Sequence, residues 1–190
     1  MSQISPNQVA ATKAAQTNVL GLRLTEQEVC NYWSVIFSPK GIASLTKQDM
    51  NGFLSYEQNR RWKELSKENV TRDMQKLRAA LAHLLDDSLP LTLRLDNLDP
   101  ASGSLAIPYL GKAKLGAVLL VTHPRQYGVW NDYSERALRA MGLFPNFEPG
   151  WHLGQQYEEV NKVFLSLSSD NQVTMWWLDI ILEKIALMIP

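Results

Sequence analysis

Apolar residues in this chain recur at helical spacing, and that periodicity constrains the fold more than any other feature. Met74, Leu77, Leu81, Leu84 and Leu85 form one stripe, while Arg72, Lys76 and Arg78 fall off it. A stripe of this kind is the buried face of an amphipathic helix, and Thr71 is the expected cap. Val29, Trp33, Ile36 and Phe37 repeat the pattern behind a capping box, Thr25-Glu26-Gln27-Glu28; Ser38-Pro39-Lys40-Gly41 ends that helix. Further helices are expected over Thr46–Phe53, Leu91–Leu98, Ser134–Met141 (stopped by Gly142), Tyr157–Leu167 and Val173–Met188. Phe144–Gly154, with two prolines and two glycines, reads as a loop. Thr92–Leu95 and Val118–Thr122 are the only rivals for a strand, and helix spacing explains both. The expected fold is all-α: an orthogonal helical bundle in one domain, 1–190. Residues 1–22 form a weakly amphipathic N-terminal arm, and Ala101–Ser104 is the best linker.

Composition narrows the function classes. Hydrophobic residues make up 45% of the chain, enough for a core, and the formal net charge is zero. A polyanion binder of this composition must therefore segregate its charge. Asn59–Lys76 carries six Lys/Arg against three Asp/Glu, and Gly111–Ala140 carries five against two, whereas Leu84–Pro100 and Tyr157–Lys184 are acidic. Ordinary solvated surface would give the same counts. A single cysteine, Cys30, excludes an internal disulfide framework and fits a reducing compartment. No apolar run nears the roughly 18 residues of a membrane span, and the polar N-terminus lacks a signal-peptide core. The expectation is a cytoplasmic protein without cofactor. His83, His123 and His152 share no metal-binding spacing, so no metal site is expected.

The segment Ile107–Asn131 carries the functional argument. Gly111 stands before a helix, where first-turn N–H groups can face a phosphate. Lys112 and Lys114 occupy that first turn against the helix dipole, a placement that an anion would explain. Ala113, Gly116 and Ala117 are small and allow another helix to pack closely.

Ile107, Pro108, Leu110 and Gly111 resemble the helix-hairpin-helix of the DNA glycosylase superfamily that includes endonuclease III and the 8-oxoguanine glycosylases. In that family a catalytic Asp follows at the start of the next helix. Here Asn131 stands at that place, twenty residues past Gly111, and Arg136 and Gly142 fall where an Arg and a closing Gly belong. The resemblance covers residues 105–142 and departs at three points. The first hairpin Gly is Tyr109. The lyase lysine position is Ala113, flanked by Lys112 and Lys114. The catalytic Asp position is Asn131, whose amide cannot serve as a carboxylate. A looser resemblance, through Asn59-Arg60-Arg61-Trp62 and His123–Asn131, links the chain to uncharacterised helical modules of bacterial restriction-type defence proteins.

The resemblance implies DNA as partner, with Gly111, Lys112 and Lys114 on the backbone; the basic stretches Asn59–Lys63 and Lys112–Arg125 add Arg60, Arg61 and Arg125 on the backbone, and Trp62, Trp130 and Asn59 are the candidates against a base. If hydrolysis occurs it is of the N-glycosylase type, with Asp132 and Asn131 as the candidate catalytic residues. Each has a purely structural reading as well. Asn131 is a favoured N-cap, Asp132 and Glu135 suit a helix start, and Trp62 and Trp130 fit a core. The rival class is a protein-interaction or regulatory module, using the apolar C-terminal helix with Trp176 and Trp177 as its surface.

Overall fold

The computed structural model describes residues 26–55 and 64–189, the side chains of 64–66 excepted. Among the described residues the protein is all-α, with ten helices and no strand. They are α1 (Glu26–Ile36), α2 (Pro39–Ser44), α3 (Lys47–Ser55), α4 (Glu64–Val70), α5 (Met74–Leu84), α6 (Leu91–Asp96), α7 (Lys112–Thr122), α8 (Asp132–Ala140), α9 (Leu153–Asp170) and α10 (Met175–Met188). The proposed N-terminal arm lies outside the described residues, as do Asn59, Arg60, Arg61 and Trp62.

The central element is α7. Residues Leu115 to Val121 are all buried, so this helix is apolar round its whole girth, as a helix enclosed by others must be. α1 packs on it, α8 and α9 pack on α10, and α6 lies along α9. Because α7 is enclosed, only its two ends reach the surface. One end carries Gly111, Lys112 and Lys114; the other carries His123, Pro124 and Arg125.

Several local expectations shift. Ser38 ends α1 and also caps α2, its Oγ accepting from the Gly41 N–H at 3.1 Å. Asp73, not Thr71, caps α5 by accepting from the Lys76 N–H; the Thr71 hydroxyl instead donates to the Lys67 carbonyl behind it. Thr46 and Asp49 do form the expected reciprocal cap of α3. Ala101–Ser104 does not act as a spacer: the Gly103 and Leu105 N–H groups bond Asp99 and Asn97 carbonyls, folding the segment back on α6. Gly154 belongs to α9 rather than to the loop. Its N–H donates to Asp96 at 2.7 Å, and a Cβ there would lie 2.3 Å from the Thr92 carbonyl oxygen. This is where α9 crosses α6.

Buried polar groups are held in the same way. Arg94, 3% exposed, donates to the Leu84 carbonyl and to Asp87, and His123 meets the other oxygen of Asp87 at 3.1 Å. This cluster fixes the far end of α7. Cys30 is buried, and burial with the nearby Glu26 charge pushes its thiol up to about 11, as befits an inert core thiol. No helix among the described residues is long and apolar enough to cross a membrane.

Candidate nucleic-acid interface

The site is built where the N-termini of α7 and α8 converge. Residues 97–111 between α6 and α7 run as consecutive turns, ending in Ile107-Pro108-Tyr109-Leu110. Ile107 and Leu110 are buried and anchor the turn, while Tyr109 is exposed. Tyr109 has φ +67°, a left-handed conformation. Glycine adopts that conformation without the steric cost that a tyrosine side chain brings to it. Gly111 itself is extended, at φ −93° and ψ −172°, and its Cβ direction is open. The conformational freedom expected at Gly111 is therefore needed two residues earlier. Gly111 caps α7 without any side-chain bond; the Lys114 N–H closes back on the Gly111 carbonyl at 3.0 Å, which leaves the Lys112 and Ala113 N–H groups to solvent or a ligand.

After α7 the chain returns along it through Gln126–Asn131. Gly116 of α7 faces that return, its Cβ direction meeting Gly128 O at 3.3 Å and Val129 Cα at 3.4 Å. The small residues of α7 thus admit an extended segment as well as a helix. From the other side, α9 clamps the same segment. Asn161 accepts from the Gly128 N–H at 2.9 Å and donates to the Gln126 carbonyl at 2.8 Å. The Tyr157 hydroxyl donates to the Gly128 carbonyl at 2.6 Å. These bonds set Trp130 and Asn131 in place.

Asn131 is the N-cap of α8. Its Oδ1 accepts from the Tyr133 and Ser134 N–H groups, both at 2.9 Å, and its own N–H donates to the Ser134 hydroxyl. The remaining amide nitrogen donates to Asp179 on α10 at 3.1 Å. The capping reading of Asn131 therefore holds, and its amide is committed on both atoms. Asp132, beside it, is exposed in the first turn of α8.

Glu135 joins the two helix starts. Its Oε2 accepts from Lys112 Nζ at 2.9 Å and Trp130 Nε1 at 3.0 Å, and its Oε1 from Arg139 at 2.8 Å and 3.1 Å. Partial burial opposes ionisation of Glu135, yet the hydrogen bonds from Lys112, Arg139 and Trp130 outweigh it and hold the carboxyl below its ordinary range. Lys112 also lies 3.9 Å over the Trp130 ring. Lys114 is half-buried, which lowers its amine.

The proposed residues thus separate. Gly111, Lys112, Lys114, Trp130, Asn131 and Asp132 gather around the two helix starts. Trp130 is only 3% exposed and presents its N–H to Glu135. Arg125 is exposed but follows the opposite end of α7, about 16 Å along the axis. Arg136 donates to the Ile189 carbonyl at 2.6 Å, tying α8 to the end of α10. Glu135 and Asp179 were not singled out from sequence as site residues. Asp179 carried a signal, an acid inside the apolar run Met175–Ile181; Glu135 was masked by its ordinary fit to a helix start.

No family model matches the chain, and no curated protein or solved structure matches it either.

Proposed function

We propose that the chain binds DNA, gripping the backbone at the N-terminal end of α7. The observation that carries this reading is the make-up of that end. α7 is enclosed from Leu115 onward, its cap Gly111 supplies no side-chain acceptor, and its first turn holds two lysines and no acid. Orphan N–H groups, the positive end of the dipole and nearby cations together suit a phosphate. A phosphate beside Lys114 would favour its charged form and offset the effect of burial. The glycine-like backbone at Tyr109 and the convergence with Asn131 agree with the helix-hairpin-helix resemblance. Binding stands ahead of hydrolysis, because an amide already committed to capping occupies the place of the expected carboxylate.

The test is binding to duplex and single-stranded oligonucleotides across a salt series, with Lys114→Glu alongside. Affinity should fall log-linearly with salt, and Lys114→Glu should weaken it at least about fivefold while its melting temperature stays close to wild type. Absence of binding at low salt would remove this reading. The rival is a protein-interaction module, which the exposed Tyr32 and Val35, one turn apart on α1, favour. α10 itself is mostly core, with Trp176 buried and only Leu187 and Met188 exposed among its large apolar residues.

A further inference from the structure

The loop between α8 and α9 carries a run of aromatic rings beside the α7 N-terminus. Trp130 contacts Phe144 and Phe147 at centroid distances of 6.1 and 5.6 Å, Phe144 and Phe147 lie 5.4 Å apart, and Phe147 contacts Trp151 at 6.2 Å. The run starts in the core and ends at the surface. Trp130 is buried, whereas Phe144, Phe147 and Trp151 are each partly exposed. Arg139, with its side chain 58% exposed, lays its guanidinium 3.9 Å over the Phe144 ring. The Trp151 indole N–H makes no hydrogen bond among the described residues.

The backbone holds these rings in a fixed frame. Pro145 and Pro149 fix φ at two points. Gly150 turns the chain at φ +88°, and the Trp151 N–H closes the turn on the Glu148 carbonyl at 3.2 Å. Rings that are ordered beforehand lose little freedom when a ligand stacks on them. Cations stand against these rings: Arg139 lies over Phe144 and Lys112 over Trp130, with Lys114 in the same first turn of α7. A planar, partly apolar and negatively charged ligand fits such a surface, and an unpaired stretch of nucleotides has those properties.

We propose that Phe147 and Trp151 form a stacking surface for unpaired bases, so that the protein binds single-stranded DNA in preference to duplex. The backbone enters at the α7 N-terminus and the bases lie along the loop. Duplex DNA keeps its base faces covered and gains only the phosphate contacts. Glu148, exposed and the only acid in the loop 143–152, opposes the strand. This inference rests on the DNA-binding reading and adds the strand state and the residues that read it.

The experiment compares a labelled oligo-dT with a duplex of equal length, using the full chain and Trp151→Ala, Trp151→Phe and Glu148→Gln. Trp151 ends the run, so its loss disturbs the core least. Wild type should prefer the single strand. Trp151→Ala should weaken single-strand binding roughly tenfold, with duplex binding changed less than about twofold, and Trp151→Phe should recover most of the loss. Glu148→Gln should strengthen single-strand binding. A wild-type measurement guards against a misfolded variant: photocrosslinking to iodouracil-substituted oligo-dT should map to residues 143–152. Equal loss for both DNA forms, no loss, or crosslinks mapping elsewhere would overturn the inference. Single-strand binding that depends on Lys114 but not on Trp151 would sink the stacking surface alone. Failure to bind either DNA would sink the stacking surface together with the DNA-binding reading.

Discussion

Lys112 and Glu135 meet at 2.9 Å, one from the first turn of α7 and the other from the first turn of α8. This pair decides how much positive charge the α7 end can offer, because the same carboxylate also holds Arg139. Glu135→Gln should release both cations and raise DNA affinity about threefold to tenfold at low salt, with a steeper salt dependence. It should also lower stability by about 1–3 kcal/mol, since three donors lose a charged acceptor. Anisotropy titration and thermal melting check the two effects separately. Weaker DNA binding in a folded Glu135→Gln protein would count against a role for Lys112 at the phosphate.

The bond from Asn131 to Asp179 yields a prediction with a pH signature. Asn131→Ala removes the cap and should cost about 1–2 kcal/mol. Asn131→Asp keeps a good cap and suits the dipole, but it sets a second carboxylate at hydrogen-bond distance from Asp179. Like charges there raise a folded-state pKa, so the variant is penalised at neutral pH. The penalty should fade as acid supplies one shared proton. Melting temperatures of Asn131→Asp and wild type should therefore converge between about pH 7 and pH 4; a constant gap would mean that the two carboxylates avoid each other.

The helical class was legible because apolar spacing in α1, α5 and α9 is a local signal. Asn131 as a cap was legible for the same reason: its partners lie two and three residues away. What sequence could not show was which side chains meet across helices. Glu135 reads as a residue that suits a helix start, and nothing local reveals that Lys112, 23 positions earlier, and Trp130 share it. Trp130 reads equally as core or platform, and its burial depends on the Gly128 clamp from α9.

Tyr109 holds a left-handed backbone while its side chain is 54% exposed. An L-residue in that conformation costs about 1–2 kcal/mol, of which glycine recovers all but its extra unfolded-state freedom. Tyr109→Gly should therefore stabilise the protein by about 0.5–1 kcal/mol. Thermal melting would show it as a rise of a few degrees, with DNA binding retained. A drop in melting temperature would show that the tyrosine ring contributes more than the turn costs.

Gly128 is the tightest point of the return segment. A Cβ there would lie 2.5 Å from the ring of Phe164, which is 1% exposed and has no room to withdraw. Gly128→Ala should cost about 2–3 kcal/mol as an overpacked core site. It should also loosen Trp130 and Asn131, which that segment positions. Denaturant unfolding with intrinsic tryptophan fluorescence reads both, and a change below about 0.5 kcal/mol would mean that α9 does not press on the segment as described.

Acid should loosen the two ends of α7 together. At one end Glu135 is held below its ordinary range, as described. At the other, slight burial opposes ionisation of Asp87, but hydrogen bonds and charge from His123 and Arg94 outweigh it, and its carboxyl is also lowered. Both groups have folded pKa values below their unfolded ones, near 4. The unfolded chain therefore binds more protons as pH falls. Their contribution is present in full above about pH 5 and is lost as pH drops through the folded values. Glu135→Gln and Asp87→Asn should each flatten the acid limb of a stability-versus-pH curve, and the double variant should flatten it by the sum, because the two sites share no partner. An acid limb unchanged in both variants would place the titrating carboxylates elsewhere.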